Sequence, residues 1–106
     1  MASSREYLDF ILEQLSGLED VSWRGMMGEF ILYCKGRIAG GIYDDRLLVK
    51  PVKAARELMP EAEEELPYEG AKPMLLVEQV DDRAFLETLL NAMWEELPAP
   101  KKRKGS

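Results

Sequence analysis

The sequence predicts an α+β domain in which an antiparallel sheet carries helices on one face, and three observations support this. Apolar residues recur at helical spacing near both ends of the chain, over 3–16 and 83–97. From Val21 to Pro51, runs of β-branched and aromatic residues alternate with short turn signals, the pattern of a strand meander. A further apolar run, MLLVEQV at 74–80, stands alone between a loop and the last helix. The resulting order of helix, meander, helix, strand, helix fits a two-layer architecture.

In the first helix, SSREYLDFILEQLS, Ser3 with Glu6 three positions later has the form of a capping box. Tyr7 or Leu8, Ile11, Leu12, Leu15 and Leu18 form its apolar face, and Gly17 is placed to stop it. The meander of three or four strands runs through VSW, GMMGEFILYC, RIAGGIY and RLLVK. Lys35-Gly36 has the length of a two-residue hairpin loop, with the glycine able to take positive φ. Pro51 closes the meander. KAARELM at 53–59 has helical composition up to Pro60, and EAEEEL is expected to add another helical turn. PYEGAKP reads as a loop, and the continuous MLLV after it as a buried strand. Asp81 or Asp82 caps the final helix, whose apolar face is Phe85, Leu86, Leu89, Leu90, Met93 and Leu97 before Pro98.

A chain of 106 residues is a usual size for one domain, expected over 1–97, with a disordered basic tail over 98–106. One cysteine, Cys34, excludes an internal disulfide and favours a reducing compartment. The start of the chain has no secretory pattern and no window suits a membrane span, so a cytoplasmic location is expected. The net charge is -6, but the four basic residues at 101–104 conceal a body with ten basic against twenty acidic groups. Residues 24–56 hold seven basic groups against three acids, whereas 57–100 hold twelve acids against Lys72 and Arg83. Such a dipolar surface favours protein contacts, self-association included, while an acidic body repels nucleic-acid phosphates. The basic residues of the middle segment, Arg24, Arg37, Arg46, Lys50, Lys53 and Arg56, are the candidate interaction surface.

Catalytic chemistry finds little footing. The chain has no histidine, the commonest general base and transition-metal ligand. Asp44-Asp45 has the spacing of a hairpin turn, a role for which aspartate is favoured because it tolerates left-handed backbone. Gly40 and Gly41 lie in a strand, where close approach of another element, a helix over the sheet or a ligand, explains them. They lack the spacing of a phosphate-binding loop. Cys34 alternates with Leu32 and Phe30 and reads as a buried thiol. Met26 and Met27 fill core space or form an adaptable partner surface. An exposed Trp94 would mark an interface. Any small-ligand site is expected in a cleft between the last helix and the sheet, with Tyr33, Tyr43, Tyr68 or an arginine supplying polarity. No cofactor, metal or catalytic residue is assigned.

The segment RGMMGEFILYCKGRIAGGIYDDRLLVKP, residues 24–51, resembles the signature of the TfoX N-terminal domain family, the Sxy-like competence regulators. The succession of Arg24, Met26, Met27, Gly28, Tyr33, Gly36, Gly40 or Gly41, Asp45, Leu48, Lys50 and Pro51 carries the resemblance. It implies a secretion-chaperone-like fold with a five-stranded antiparallel sheet. It also implies a bacterial regulatory module that acts in competence transcription without catalysis of its own. The chain is similar to the free-standing members of that family. A protein partner, with a homodimer as one form, is expected ahead of direct nucleic-acid binding through the basic residues and the tail.

Overall fold

The computed structural model describes residues 3–97. Helix α1 (Arg5–Gln14) begins at Ser4, whose side-chain oxygen accepts from the Tyr7 N–H at 3.1 Å. The cap therefore falls one residue later than the Ser3 to Glu6 spacing suggests, because Ser3 is engaged elsewhere. Gly17 does not take the left-handed conformation of a helix-stopping glycine. A Cβ there would lie 1.9 Å from Glu87 Oε2, so it makes room for the last helix.

Four strands follow in a meander: β1 (Val21–Met26), β2 (Glu29–Cys34), β3 (Arg37–Ile42) and β4 (Leu47–Val49). Each connection is a two-residue turn with both residues at positive φ: Met27 and Gly28 at 53° and 85°, Lys35 and Gly36 at 51° and 82°, Asp44 and Asp45 at 55° each. These are type I′ turns, whose twist matches that of the strands they join. Tyr43 and Arg46 exchange backbone hydrogen bonds of 2.9 and 3.1 Å across the third turn.

Beyond the meander lie α2 (Lys53–Leu58), β5 (Glu64–Glu65), β6 (Met74–Leu76) and α3 (Arg83–Trp94). The sheet is antiparallel throughout with strand order β1-β2-β3-β4-β6-β5. It has six strands, not five, and the extra one comes from the acidic run expected to be helical. Pro60 denies a helix its backbone donor, and Glu64 and Glu65 pair with Leu75 and Met74 at the sheet edge instead. Asp82 caps α3, accepting from the Phe85 N–H at 3.0 Å.

All three helices share one core with one face of the sheet. Leu8, Ile11 and Leu15 of the first helical segment, Ala55 and Met59 around α2, and Leu86, Leu89 and Met93 of α3 meet Leu32, Ile42, Leu47, Val49 and Leu75. Each such Leu or Ile contributes about 1.5–3 kcal/mol through burial. Gln14, buried with them, donates from Nε2 to the Val80 carbonyl at 3.0 Å. The register places the next row, Arg24, Ile31, Gly41, Leu48 and Leu76, on the opposite face, where no helix packs. Between Leu32 and Tyr33 the pairing with β3 shifts by one residue, so Ala39 is a bulge.

Candidate functional site

The two edges of the sheet differ sharply. β5 is two residues long, and both of its side chains are engaged in ion pairs, Glu65 with Arg46 and Glu64 with Arg56, the latter at 3.0 Å. β1 is six residues long, pairs only with β2, and is exposed from Ser22 to Met26. Its free side is a row of backbone donors and acceptors open to another strand. At its tip Met27 is 96% exposed, in a turn whose second residue, Gly28, takes positive φ without strain. Trp23, on the helix side of β1, stands edge-on to Phe30 at 5.5 Å, with the Arg5 guanidinium 4.9 Å from its ring centroid. Of the alternatives for the paired methionines, exposure at the hairpin tip excludes core filling for Met27.

The basic residues singled out in the sequence are dispersed. Arg37 lies on the helix side, its guanidinium 4.1 Å from the Trp94 ring centroid, and donates to the Trp94 and Leu97 carbonyls at 3.1 and 3.2 Å. It thereby ties β3 to the chain leaving α3, adding to the bond that the Trp94 carbonyl already accepts from the Leu97 N–H at 3.2 Å. Arg46 and Arg56 are held by glutamates, and Lys53 lies 4.0 Å from Glu57. Only Arg24 and Lys50 remain on or beside the open sheet face, opposite the helices. Trp94 is half-buried, its indole N–H donating to the Cys34 carbonyl at 3.1 Å, so it packs the interior.

Asp44 and Asp45 turn the chain, and they also hold its start. Asp45 Oδ1 accepts from the Ser4 N–H at 2.8 Å, and the Asp45 N–H donates to Ser3 Oγ at 3.0 Å. Glu29 Oε1 completes the cluster, accepting from Ser3 Oγ at 2.6 Å and from the Ser3 N–H at 3.0 Å. Nothing in periodicity foretells this knot, since the residues these bonds join are 26 to 42 positions apart. The two glycines of β3 are required by strand and ring contacts, not by a helix. A Cβ on Gly40 would lie 2.1 Å from the Leu48 oxygen, and one on Gly41 2.6 Å from Tyr43 Cε2.

The expected cleft between the last helix and the sheet is closed. The space there is about 10 Å³ and is lined by apolar side chains such as Leu32, Leu86 and Leu89. Tyr43 and Tyr68 instead line a larger hollow on the opposite face. Burial, and then the neighbouring Tyr68, Glu29 and Tyr33, push the Tyr43 phenol above its ordinary range. Burial followed by Asp45 does the same to Tyr7. Cys34 is buried and its thiol is pushed up mainly by that burial, the opposite of what a nucleophile needs. Among the described residues no group of three or more Cys, Asp or Glu side chains is placed to hold a metal ion, and no helix is long and apolar enough to cross a membrane. The basic run at 101–104 lies outside the described residues.

Fold and edges together define a small α+β module with one helix-covered sheet face, one open face and one exposed strand edge. The chain belongs to the TfoX N-terminal domain family, whose model matches residues 13–94. An uncharacterized 12.7 kDa protein from the trpE 5′ region of Spirochaeta aurantia is 35% identical over 106 residues, spanning 99% of this chain and 92% of that protein. No solved structure matches.

Proposed function

We propose that this chain is a non-enzymatic, competence-regulator-like module that works by binding protein, with β1 as the contact strand. The exposed β1 edge, ending in Met27, carries this reading. An added strand would gain backbone hydrogen bonds along six residues and an apolar anchor at the tip. Family membership supports the regulatory role, and a secretion-chaperone-like layer of helices on one sheet face accords with an open surface on the other. Dispersal of the basic residues supports a protein partner over a phosphate backbone, which needs cations lying along one face.

The first partner to test is a second copy of the chain. Light scattering across concentration should show a dimer that Met27→Lys together with Trp23→Lys converts to monomer. Position 27 accepts lysine because Lys35 occupies the equivalent place in the next turn at nearly the same φ. A monomer at every concentration, combined with no protein captured from cell extract in a β1-dependent way, would overturn the proposal.

A further inference from the structure

We propose that the hollow on the open sheet face is a binding site for a small amphiphilic anion, an apolar body ending in a carboxylate or similar group. The hollow has a volume of about 470 Å³, within the roughly 300–1,000 Å³ usual for small-molecule sites. Its floor is the sheet itself, through Ile31, Ile38 and Met74. One wall is the segment between β5 and β6, stiffened where Pro67 and Pro73 meet the hollow. An apolar surface on this scale gains from being covered.

Charge selects the ligand. The chain has twenty acidic residues, yet none lines the hollow, while Lys50 and Lys72 both do. Arg46, Lys53 and Arg56 each have a carboxylate within 4.0 Å, whereas among the described residues neither of these two lysines has one. Two ammonium groups without a carboxylate partner beside apolar walls favour an anion with an apolar body, the charges drawing its head group while the walls cover the rest. Tyr43 adds a donor: the residue is 6% exposed, and its hydroxyl neither bonds to a described protein group nor is sealed from solvent.

An extended peptide suits the hollow less well. It lies on the face of β2, β3 and β4, whose backbone groups are already paired with one another, so a peptide finds no ladder to join there. Of β1 the hollow takes in Met26 alone; Trp23 and Met27 do not line it, so Trp23→Lys with Met27→Lys should leave it intact.

The test uses the full chain with anilinonaphthalene sulfonate as an aromatic anionic probe, Nile red as an uncharged one and decanoate as competitor. The chain should bind the sulfonate saturably with enhanced, blue-shifted emission, and decanoate should displace it. Lys50→Met with Lys72→Met should weaken sulfonate binding about tenfold or more while Nile red binding stays within about twofold. Both lysines are outside the core, so the doubly substituted chain keeps its thermal midpoint to within about 3 °C. Ile38→Asp, at a position 39% exposed, should abolish binding of both dyes. Equal sulfonate affinity in the lysine variant, undiminished binding in Ile38→Asp, or displacement by a hexaglutamate peptide but not by decanoate would each overturn the proposal.

Discussion

Gly40→Ala is expected to cost far more than its single methyl suggests. The added Cβ would lie 2.1 Å from the Leu48 carbonyl oxygen, 2.8 Å from Val49 Cα and 3.0 Å from the Leu48 carbonyl carbon. All three are backbone atoms of β4, so no side-chain rotation relieves the overlap. β4 must move by roughly an ångström, and as a three-residue strand paired at Gly40 with Val49 it has little pairing to spare. Overpacking of this kind costs about 1–3 kcal/mol. A strained or lost β3 to β4 hydrogen bond adds about 1 kcal/mol. A total of about 3 kcal/mol is a large share of the roughly 5–15 kcal/mol that holds such a domain together. At about 4 °C per kcal/mol for a chain of this size, the melting midpoint should fall by about 12 °C. The internal control is Gly25→Ala on the edge strand, where a Cβ meets nothing within 4 Å and φ is not left-handed. That change should be neutral or stabilise by about 0.5 kcal/mol through the unfolded chain. Urea and thermal unfolding followed by circular dichroism measure both. A Gly40→Ala midpoint within about 3 °C of the parent, or equal losses in the two variants, would refute the packing account.

The Asp44-Asp45 turn separates local strain from tertiary hold. Asp44→Gly removes only a left-handed residue and should stabilise by about 0.5–1 kcal/mol, whereas Asp45→Ala keeps φ at a strained value and loses the bond from the Ser4 N–H, costing about 1–2 kcal/mol in urea unfolding. The tyrosines give the alkaline behaviour. Tyr7 and Tyr43 have phenols raised above the ordinary value of 10.0, so the folded chain holds protons that the unfolded chain has released. Their contribution is complete below pH 10 and is lost as pH rises from there through the folded values, so stability should fall on the alkaline side. Tyr43→Phe should flatten that fall while leaving stability near neutral pH almost unchanged, with phenolate absorbance reporting the titration.

Local signals made most of the framework legible. Two of the three turns are legible because Lys-Gly and Asp-Asp are pairs that accept positive φ, and the helix faces because their leucines repeat at 3.6-residue spacing; the turn at Met27-Gly28 is hidden because methionine at its first position gives no turn signal. What escaped depends on distance. The Ser3 to Glu6 spacing suggests a cap, yet the Ser3 hydroxyl is claimed by Glu29 and Asp45, more than 25 positions away. EAEEEL has helical composition, but once Met74–Leu76 presents an unpaired edge, two glutamates complete the sheet. Of the three tyrosines expected near the last helix, Tyr33 borders the small apolar space there, whereas Tyr43 and Tyr68 line the opposite face: the bulge at Ala39 alters the alternation in β3 ahead of Tyr43, and Tyr68 sits in a loop with no strand register.

The charge layout shows how a correct sequence observation changes meaning once the chain folds. A basic middle and an acidic remainder suggest a molecular dipole that would drive salt-sensitive self-association. In the fold, the acidic segment returns beside the basic one: Glu64 and Glu65 enter the sheet next to Arg56 and Arg46, and Glu57 lies one helical turn from Lys53. Much of the apparent dipole is thus spent within the chain, at sites exposed enough that each pair contributes little to stability. Association through β1 would instead rest on backbone hydrogen bonds and the Met27 side chain, neither of which salt screens appreciably. Raising the ionic strength therefore distinguishes the two origins: an edge-paired dimer persists, and one built on the sequence-level dipole comes apart.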